Sequence, residues 1–307
     1  MDRIYLFALQ AAFVPIAAPF FIGLTRRVKA IFQDRKGASP FQPYRDLWKL
    51  FHKDEVISKD ASWVSRYAPY LIFGSLLSVG AAIPVFSDAG FSLFGDFLAM
   101  IYLLAFGTFF LALAGLDAGG GFGGFGASRE MLVSALSEGG LIFSLFALAV
   151  AARTTNLAGI ARGIAGVSFT DFTPIIIAFV GFFIALLAET MRYPFDNPAT
   201  HLELTMIHEA MILEFSGKRL ALLEWASGMK YLIFILLGVN LFFPWGLYGG
   251  FGPALVVSAI VVFLKATVLA VVVAIIESTM AKMRIFRLPD LLFTSFVISI
   301  IAIGLLV

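Results

Sequence analysis

There is no cysteine among the 307 residues, so a disulfide framework, a Cys-ligated zinc site and a Cys-ligated iron–sulfur cluster are all excluded within this chain. Charge is almost as scarce. Only 14% of residues are Asp, Glu, Lys or Arg, against about a quarter in a soluble domain. Histidine occurs three times, and a net charge of +2 supplies no basic field of the kind that attracts nucleic acid. What fills the chain is hydrocarbon: 60% of residues are hydrophobic and 34 are Phe. This is the composition of an all-α polytopic membrane protein in contact with a lipid bilayer. Any redox cofactor must then sit in a partner.

Crossing about 30 Å of hydrocarbon at 1.5 Å per residue takes about 20 apolar residues. Eight runs are long enough, roughly 4–25, 68–86, 91–116, 131–152, 170–189, 229–249, 254–280 and 289–307. They predict one integral membrane domain over residues 1–307. Arg3 and the first run are followed by no small-residue cleavage site, so the run reads as a retained span. Sorting the 22 Lys and Arg by loop puts 18 on one side, ten of them between residues 26 and 67. Arg3, Arg153 and Arg162 fall on the other side, and Lys265 lies inside the seventh run. By the positive-inside rule the crowded side is cytoplasmic and both termini face out. The long segments 26–67 and 190–228, after spans 1 and 5, then face the cytoplasm together.

The first of these segments is amphipathic over Tyr44–Phe51, where Leu47, Trp48, Leu50 and Phe51 alternate with Arg45, Asp46 and Lys49. A short interfacial helix fits, started by Pro40 and Pro43. The loop serves either as a positive-inside anchor or as a docking surface for a soluble partner. Residues 117–128, DAGGGFGGFGAS, contain Gly-x-Gly patterns but follow no strand, which argues against dinucleotide binding. Glycines here either let helices approach closely or leave a flexible break.

The remaining acids are concentrated. Glu189, Asp196, Glu203, Glu209 and Glu214 fall within 189–216, together with Arg192, His201 and His208. Pro194 and Pro198 keep 193–198 out of helix. If 201–214 were one helix, Glu203 and Glu214 would lie within about 20° of each other, with the two His roughly opposite. His208-Glu209 is followed by Ile212 where a zinc-protease pattern needs its second His. Ionisable groups inside spans are expensive and mark function by default. Glu138 sits seven residues into the fourth run, Glu189 closes the fifth, and Lys265 and Glu277 lie in the seventh. Asp96 and Glu277 can snorkel to an interface, whereas mid-span Lys265 needs an interior partner or a wet cavity. Lys265 and Glu277 are about 120° apart around a helix and do not pair on one face. Buried carboxylates in polar cavities can carry protons, because desolvation brings their pKa values toward neutrality.

The run Glu189-Thr-Met-Arg192-Tyr-Pro194-Phe195-Asp196, then Pro198, Glu203-Leu204 and Glu214-Phe-Ser216, resembles the cytoplasmic signature of the subunit 1 (H) family of complex I. That family includes subunits of NADH:quinone oxidoreductases and membrane subunits of energy-converting [NiFe] hydrogenases and formate hydrogenlyases. Arg35-Lys-Gly37, Gln42, Asp46 and Lys49-Leu50 agree, as does Arg129 with Glu138 nine residues later. Where complex I proteins carry a glutamate-rich run, this chain reads Asn197-Pro-Ala-Thr-His201-Leu-Glu203. The Glu203-to-Glu214 spacing is longer and the first loop shorter. These departures are similar to the hydrogenase branch, of the hydrogenase-4 and formate hydrogenlyase type, and weaken the case for a quinone site.

The resemblance implies a non-catalytic subunit in a prokaryotic cytoplasmic (inner) membrane. An iron–sulfur small subunit and a [NiFe] large subunit would sit on its cytoplasmic loops, holding the [NiFe] centre and iron–sulfur clusters. Antiporter-like subunits would pack beside it. Glu138, Glu189, Asp196, Glu203, Glu209, Glu214, Lys265 and Glu277 are the expected ion path and coupling groups. Arg35, Asp46, Lys49, Arg129, Arg192, His201 and His208 are the expected interface residues. Two alternatives stand beside this reading. One is a quinone-site subunit of a complex I-like oxidoreductase. The other is a stand-alone secondary transporter, against which no inverted repeat or paired broken spans are evident.

Overall fold

The computed structural model describes residues 2–58, 61–86, 95–117, 119–168, 172–197, 205–247 and 253–306. Among these the chain forms eleven α-helices and no strand; Asp96 and Asn156 make one isolated bridge. The helices are α1 (Asp2–Phe32), α2 (Gln42–Phe51), α3 (Trp63–Ala82), α4 (Phe97–Asp117), α5 (Gly121–Ala152) and α6 (Leu157–Ala165). They continue as α7 (Thr173–Glu189), α8 (His208–Ile212), α9 (Gly217–Leu237), α10 (Pro253–Thr279) and α11 (Leu288–Gly304). Six are long and apolar enough to cross a membrane: α1, α4, α5, α9 with its π-helical extension Gly238–Phe242, α10 and α11. α7 is apolar but has 17 residues, and the 20 residues of α3 include Arg66, Tyr67 and three serines.

Helix ends here follow capping chemistry rather than hydropathy. Asp117 Oδ2 accepts from the Ser62 and Ser65 amides and from Ser65 Oγ, closing the start of α3 with a residue from the end of α4. Asn156 Oδ1 accepts from the Ala158 and Gly159 amides and starts α6. Several helices therefore outrun their apolar segments. α1 continues past residue 25 to Phe32, and α5 starts at Gly121 rather than near 131. α9 starts at Gly217, twelve residues before the apolar run at 229, which moves Lys218, Arg219, Glu224 and Lys230 from loop to helix. The glycine-rich segment is helical from Gly121 onward and contains no break there. Its glycines act through close approach: a Cβ on Gly123 would stand 2.2 Å from the Gly115 carbonyl oxygen of α4.

α5 is the centre of one half of the bundle, packed on α4, α7, α8 and α11. Small residues make that half tight. Ser295 Oγ of α11 donates to the Gly181 carbonyl of α7 at 2.7 Å, and Ser299 Oγ donates to the Gly140 carbonyl of α5 at 3.4 Å. In the other half α9 packs on α1, α2 and α3, and is buried at every residue from Tyr231 to Phe242. α10 packs on α1. The ends of α1, α4, α7 and α10 and the starts of α3, α5, α9 and α11 gather at one charged end of the molecule. There residues 53–58 lie across the start of α9: Ser216 Oγ donates to the Val56 carbonyl at 3.1 Å and Arg219 pairs with Glu55 at 2.9 Å. Gly217, at φ +55°, passes so close that a Cβ would be 2.8 Å from the Asp54 carbonyl oxygen.

Candidate functional site

The segment after α7 turns at Pro194 and is held by charge. Residues 190–197 turn out of helix, and Arg192, Phe195 and Asp196 are all buried. Arg192 Nη1 pairs with Glu277 Oε1 of α10 at 3.0 Å, and Glu277 Oε2 pairs with Lys29 Nζ of α1 at 3.3 Å. The Arg192 guanidinium lies over the Tyr231 ring, 4.2 Å from its centroid. Tyr231 in turn shares a 2.9 Å hydrogen bond with Thr25 of α1. Glu277 is thus buried between two cations and does not snorkel.

Asp196 is the second anchor. Its Oδ1 pairs with Lys282 at 2.6 Å, and its Oδ2 accepts from the Ile207 and His208 amides at 3.1 and 3.3 Å. Arg129 Nη1 of α5 donates to the Met206 carbonyl at 3.1 Å, tying the same segment to the start of α5. The one-helix condition placed on 201–214 is not met, since the described part is helical only over His208–Ile212. Asp196 takes the Ile207 and His208 amides, which starts the short helix there. His201 and Glu203 lie outside the described residues.

Glu189 ends α7 inside the bundle. Its Oε2 pairs with Lys230 Nζ of α9 at 2.9 Å, and its Oε1 accepts from Ser137 Oγ of α5 at 2.5 Å. Lys230 also donates to Thr108 Oγ1 of α4 at 3.1 Å. One turn along α5, Ser134 Oγ donates to Glu138 Oε1 at 3.2 Å, and Ser137 Oγ also lies 3.0 Å from the Ser134 carbonyl oxygen, so the two serines stand beside the two carboxylates. Glu130, also on α5, is buried, and its Oε2 accepts no hydrogen bond.

Two adjoining cavities serve these groups. One, of about 40 Å³, is lined by Glu130, Glu189, Lys230, Thr108 and His208. The other, of about 460 Å³, opens at the charged end and is lined by Arg26, Lys29, Arg35, Arg192, Asp196 and Glu209, among others. Thr190, Met191, His208 and Ser227 line both. Burial, with the Lys230 charge close by, pushes the His208 imidazole down to about 4, so it is neutral at neutral pH. Burial and the Glu224 carboxylate push Glu209 up to about 7.

The other expected residues are more dispersed. Asp46 accepts from Gln42 Nε2 at 2.8 Å and, with Glu224 and Arg26, lines a third cavity of about 210 Å³ between α1, α2 and α9. Lys49 and Glu214 are exposed. Lys265 has an interior partner: its Nζ donates to the Val239 and Phe243 carbonyls at 3.1 and 2.8 Å, groups left over by the π-helical turn. Among the described residues, no three His, Asp or Glu groups converge so as to hold a metal. Sequence reasoning passed over Lys29, Glu130, Lys230 and Lys282 as site residues. Lys230 was hidden by the late start assigned to its span. Glu130 had a usable signal in its spacing of four and eight from Ser134 and Glu138 on one helix.

Comparison with known proteins bears on the family and the fold. A family described as NADH dehydrogenase matches residues 4–307. Hydrogenase-4 component C of Escherichia coli (strain K12) is 34% identical over 300 residues, covering 97% of this chain and 94% of that protein. Formate hydrogenlyase subunit 4 of the same organism is 30% identical over 296 residues, covering 96% and 95%. An NADH-quinone oxidoreductase subunit of Cytophaga hutchinsonii is 29% identical over 264 residues, covering 74% and 72%. Among solved structures, a chain of the membrane-bound sulfane sulfur reductase, an archaeal respiratory membrane complex, superposes with a TM-score of 0.85 over all of both chains. At 20% identity that likeness speaks to the fold alone.

Proposed function

Because the chain belongs to the NADH dehydrogenase family, that of complex I subunit 1 (H), we propose that it anchors a multisubunit redox complex in the membrane and couples it to ion movement. The redox arm in this reading is a [NiFe] hydrogenase with its iron–sulfur subunit, and the ion is a proton or sodium. Support for the hydrogenase branch comes from the two Escherichia coli relatives, which align almost end to end. In this reading α3 and α7 also span, giving eight crossings of a prokaryotic inner membrane by a single domain. Both termini face out and the charged end faces the cytoplasm. The soluble arm docks there on α2 and residues 53–58, and antiporter-like subunits flank the bundle.

The observation that carries the coupling role is the continuity of polar groups. The cavity of about 460 Å³ shares wall residues with the one at Glu189, and Ser137 and Ser134, one turn apart, donate to Glu189 and Glu138 in turn. Redox-linked charge at the docked arm would act on Asp196 and Glu209 at the mouth and so bias ion entry. Purification of the intact complex should bring nickel and hydrogenase activity. Glu138→Gln should then impair turnover-driven ion movement while the complex still assembles. Wild-type ion movement in that variant would sink the assigned path. A quinone-dependent dehydrogenase without nickel would favour the other branch, to which the Cytophaga relative's name belongs.

A further inference from the structure

The connection between α10 and α11 carries an exposed basic and aromatic patch that the charged cluster does not use. α10 packs on α1 and α9, and α11 on α5 and α7, so the connection joins helices from the two halves of the bundle. It crosses the end of α7, where the Met283 amide donates to the Pro194 carbonyl at 2.9 Å and Lys282 pairs with Asp196. Beyond that anchor Arg284, Phe286 and Arg287 are exposed, Phe286 to 91%. Among the described residues neither arginine side chain has a hydrogen-bond or ion-pair partner, and exposed Asp290, three residues past Arg287, pairs with neither. Below the connection an open groove of about 490 Å³ runs between α7 and α10. Phe179 and Phe183 of α7, Phe243, and Leu264, Val268 and Val272 of α10 line it. Lys265 meets the groove with its methylene stem, because its ammonium is turned to the Val239 and Phe243 carbonyls, so the lining is hydrocarbon. Leu264, Val268 and Val272 recur every four residues, and the exposed stripe continues through Ile275 and Met280 toward the connection.

We propose that this groove and the connection above it bind one anionic phospholipid. Arg284 and Arg287 take the phosphate, Phe286 enters the boundary between head groups and chains, and one acyl chain lies in the groove. The depths match. Val272 and Val268 stand about 10 and 16 Å from the end of α10 at Thr279. Phe183 and Phe179 lie about 9 and 15 Å from the end of α7 at Glu189. A chain hung from the connection covers one leaflet, about 15 Å of hydrocarbon, and so reaches Val268. Two unpartnered guanidiniums favour a negative head group over a zwitterionic one. A transmembrane helix of another subunit would meet the carbon lining equally well but would leave both arginines unanswered. The site rests on the membrane spanning proposed above for α7, α10 and α11; it does not need the coupling role.

The test uses the intact complex in nanodiscs of phosphatidylcholine with a small share of phosphatidylglycerol. A photoreactive p-benzoylphenylalanine at Val268 should cross-link to phosphatidylglycerol above its share in the bilayer. Each arginine near the surface contributes about fivefold, so the enrichment should be roughly 25-fold at low salt and shrink as salt rises. Arg284→Gln with Arg287→Gln should abolish the enrichment while the probe still labels lipid. Arg284→Lys with Arg287→Lys should keep much of it. Labelling of both lipids by share alone, enrichment that the glutamine pair leaves unchanged, or a cross-link from Val268 to another subunit overturns the site. Control probes at Val256 and Ile300, exposed on α10 and α11 outside the groove, should show no head-group preference. If they label neither lipid nor a membrane subunit, the spanning of these helices fails and the site fails with it. A complex that moves no ion in liposomes yet keeps the Val268 enrichment leaves the site standing and overturns the coupling role instead.

Discussion

Replacing Glu277 by alanine removes one carboxylate and strands two cations. Arg192 and Lys29 lie 3.0 and 3.3 Å from it, with side-chain exposures of 9% and 16% against 2% for Glu277 itself. Deleting one partner of a buried pair costs about 3–5 kcal/mol, because the other charge stays desolvated. Two features moderate this. Arg192 keeps the face of Tyr231 at 4.2 Å, a contact of about 1–2 kcal/mol. Lys29 sits nearer water and can turn toward it. A net loss of about 2–4 kcal/mol follows. It should appear as earlier thermal dissociation of the purified complex and lower abundance in membranes. Arg192→Met combined with Glu277→Met removes both charges and keeps volume, so the double variant should recover most of the loss. A Glu277→Ala variant within about 0.5 kcal/mol of wild type, or strict additivity of the two methionine substitutions, would refute the buried cluster.

Two further outcomes follow from the same geometry. Gly123→Ala would set a Cβ 2.2 Å from the Gly115 carbonyl oxygen, which forces α4 and α5 apart and costs about 1–3 kcal/mol; an unchanged thermal midpoint would mean the two helices are not so closely packed. Glu209, held at about 7 in the folded protein against an ordinary 4.5, binds more protons folded than unfolded between those values. Its contribution to stability is therefore present below the lower value and lost as pH rises through the higher one. Glu209→Gln should flatten that part of the stability–pH curve and gain on wild type above neutrality; parallel curves would show that Glu209 does not titrate there.

The legible part of this fold was the part governed by hydropathy. Apolar runs located every long helix, because about 30 Å of hydrocarbon leaves an unambiguous length signal. The ends were not legible, because capping decides them: Asp117 starts α3 from another helix, and α9 runs twelve residues ahead of its apolar stretch. That error concealed Lys230, which reads as a loop charge in sequence and as a buried partner of Glu189 in space. Asp196 and Arg192 were legible because prolines and charges crowd a short stretch. Their partners were not. Glu277 and Lys282 lie 85 and 86 residues away, and no periodicity links them. Glu138 and Glu189 were each legible as expensive intramembrane acids, but the serines that donate to them look like ordinary helix filler.

The long-range partners also determine how the site can respond. Residues 192–196 meet 277–283 three times, through Arg192 with Glu277, Asp196 with Lys282, and the Met283 amide with the Pro194 carbonyl at 2.9 Å. One of these contacts is a buried charge pair, one a half-buried pair and one a backbone bond, so the turn and the end of α10 form one mechanical unit. The neighbours of that turn, Thr190 and Met191, line both cavities. A shift in the end of α10 should therefore reach that shared wall, whereas a shift in the lipid-facing part of α10 need not. Glu277→Ala thus has a second expected effect. By freeing Arg192 it should loosen the shared wall and speed hydrogen exchange at the Thr190–Asp196 amides, even at temperatures where the complex remains assembled. Unchanged exchange there, alongside the predicted loss of stability, would separate the clamp from the cavity wall.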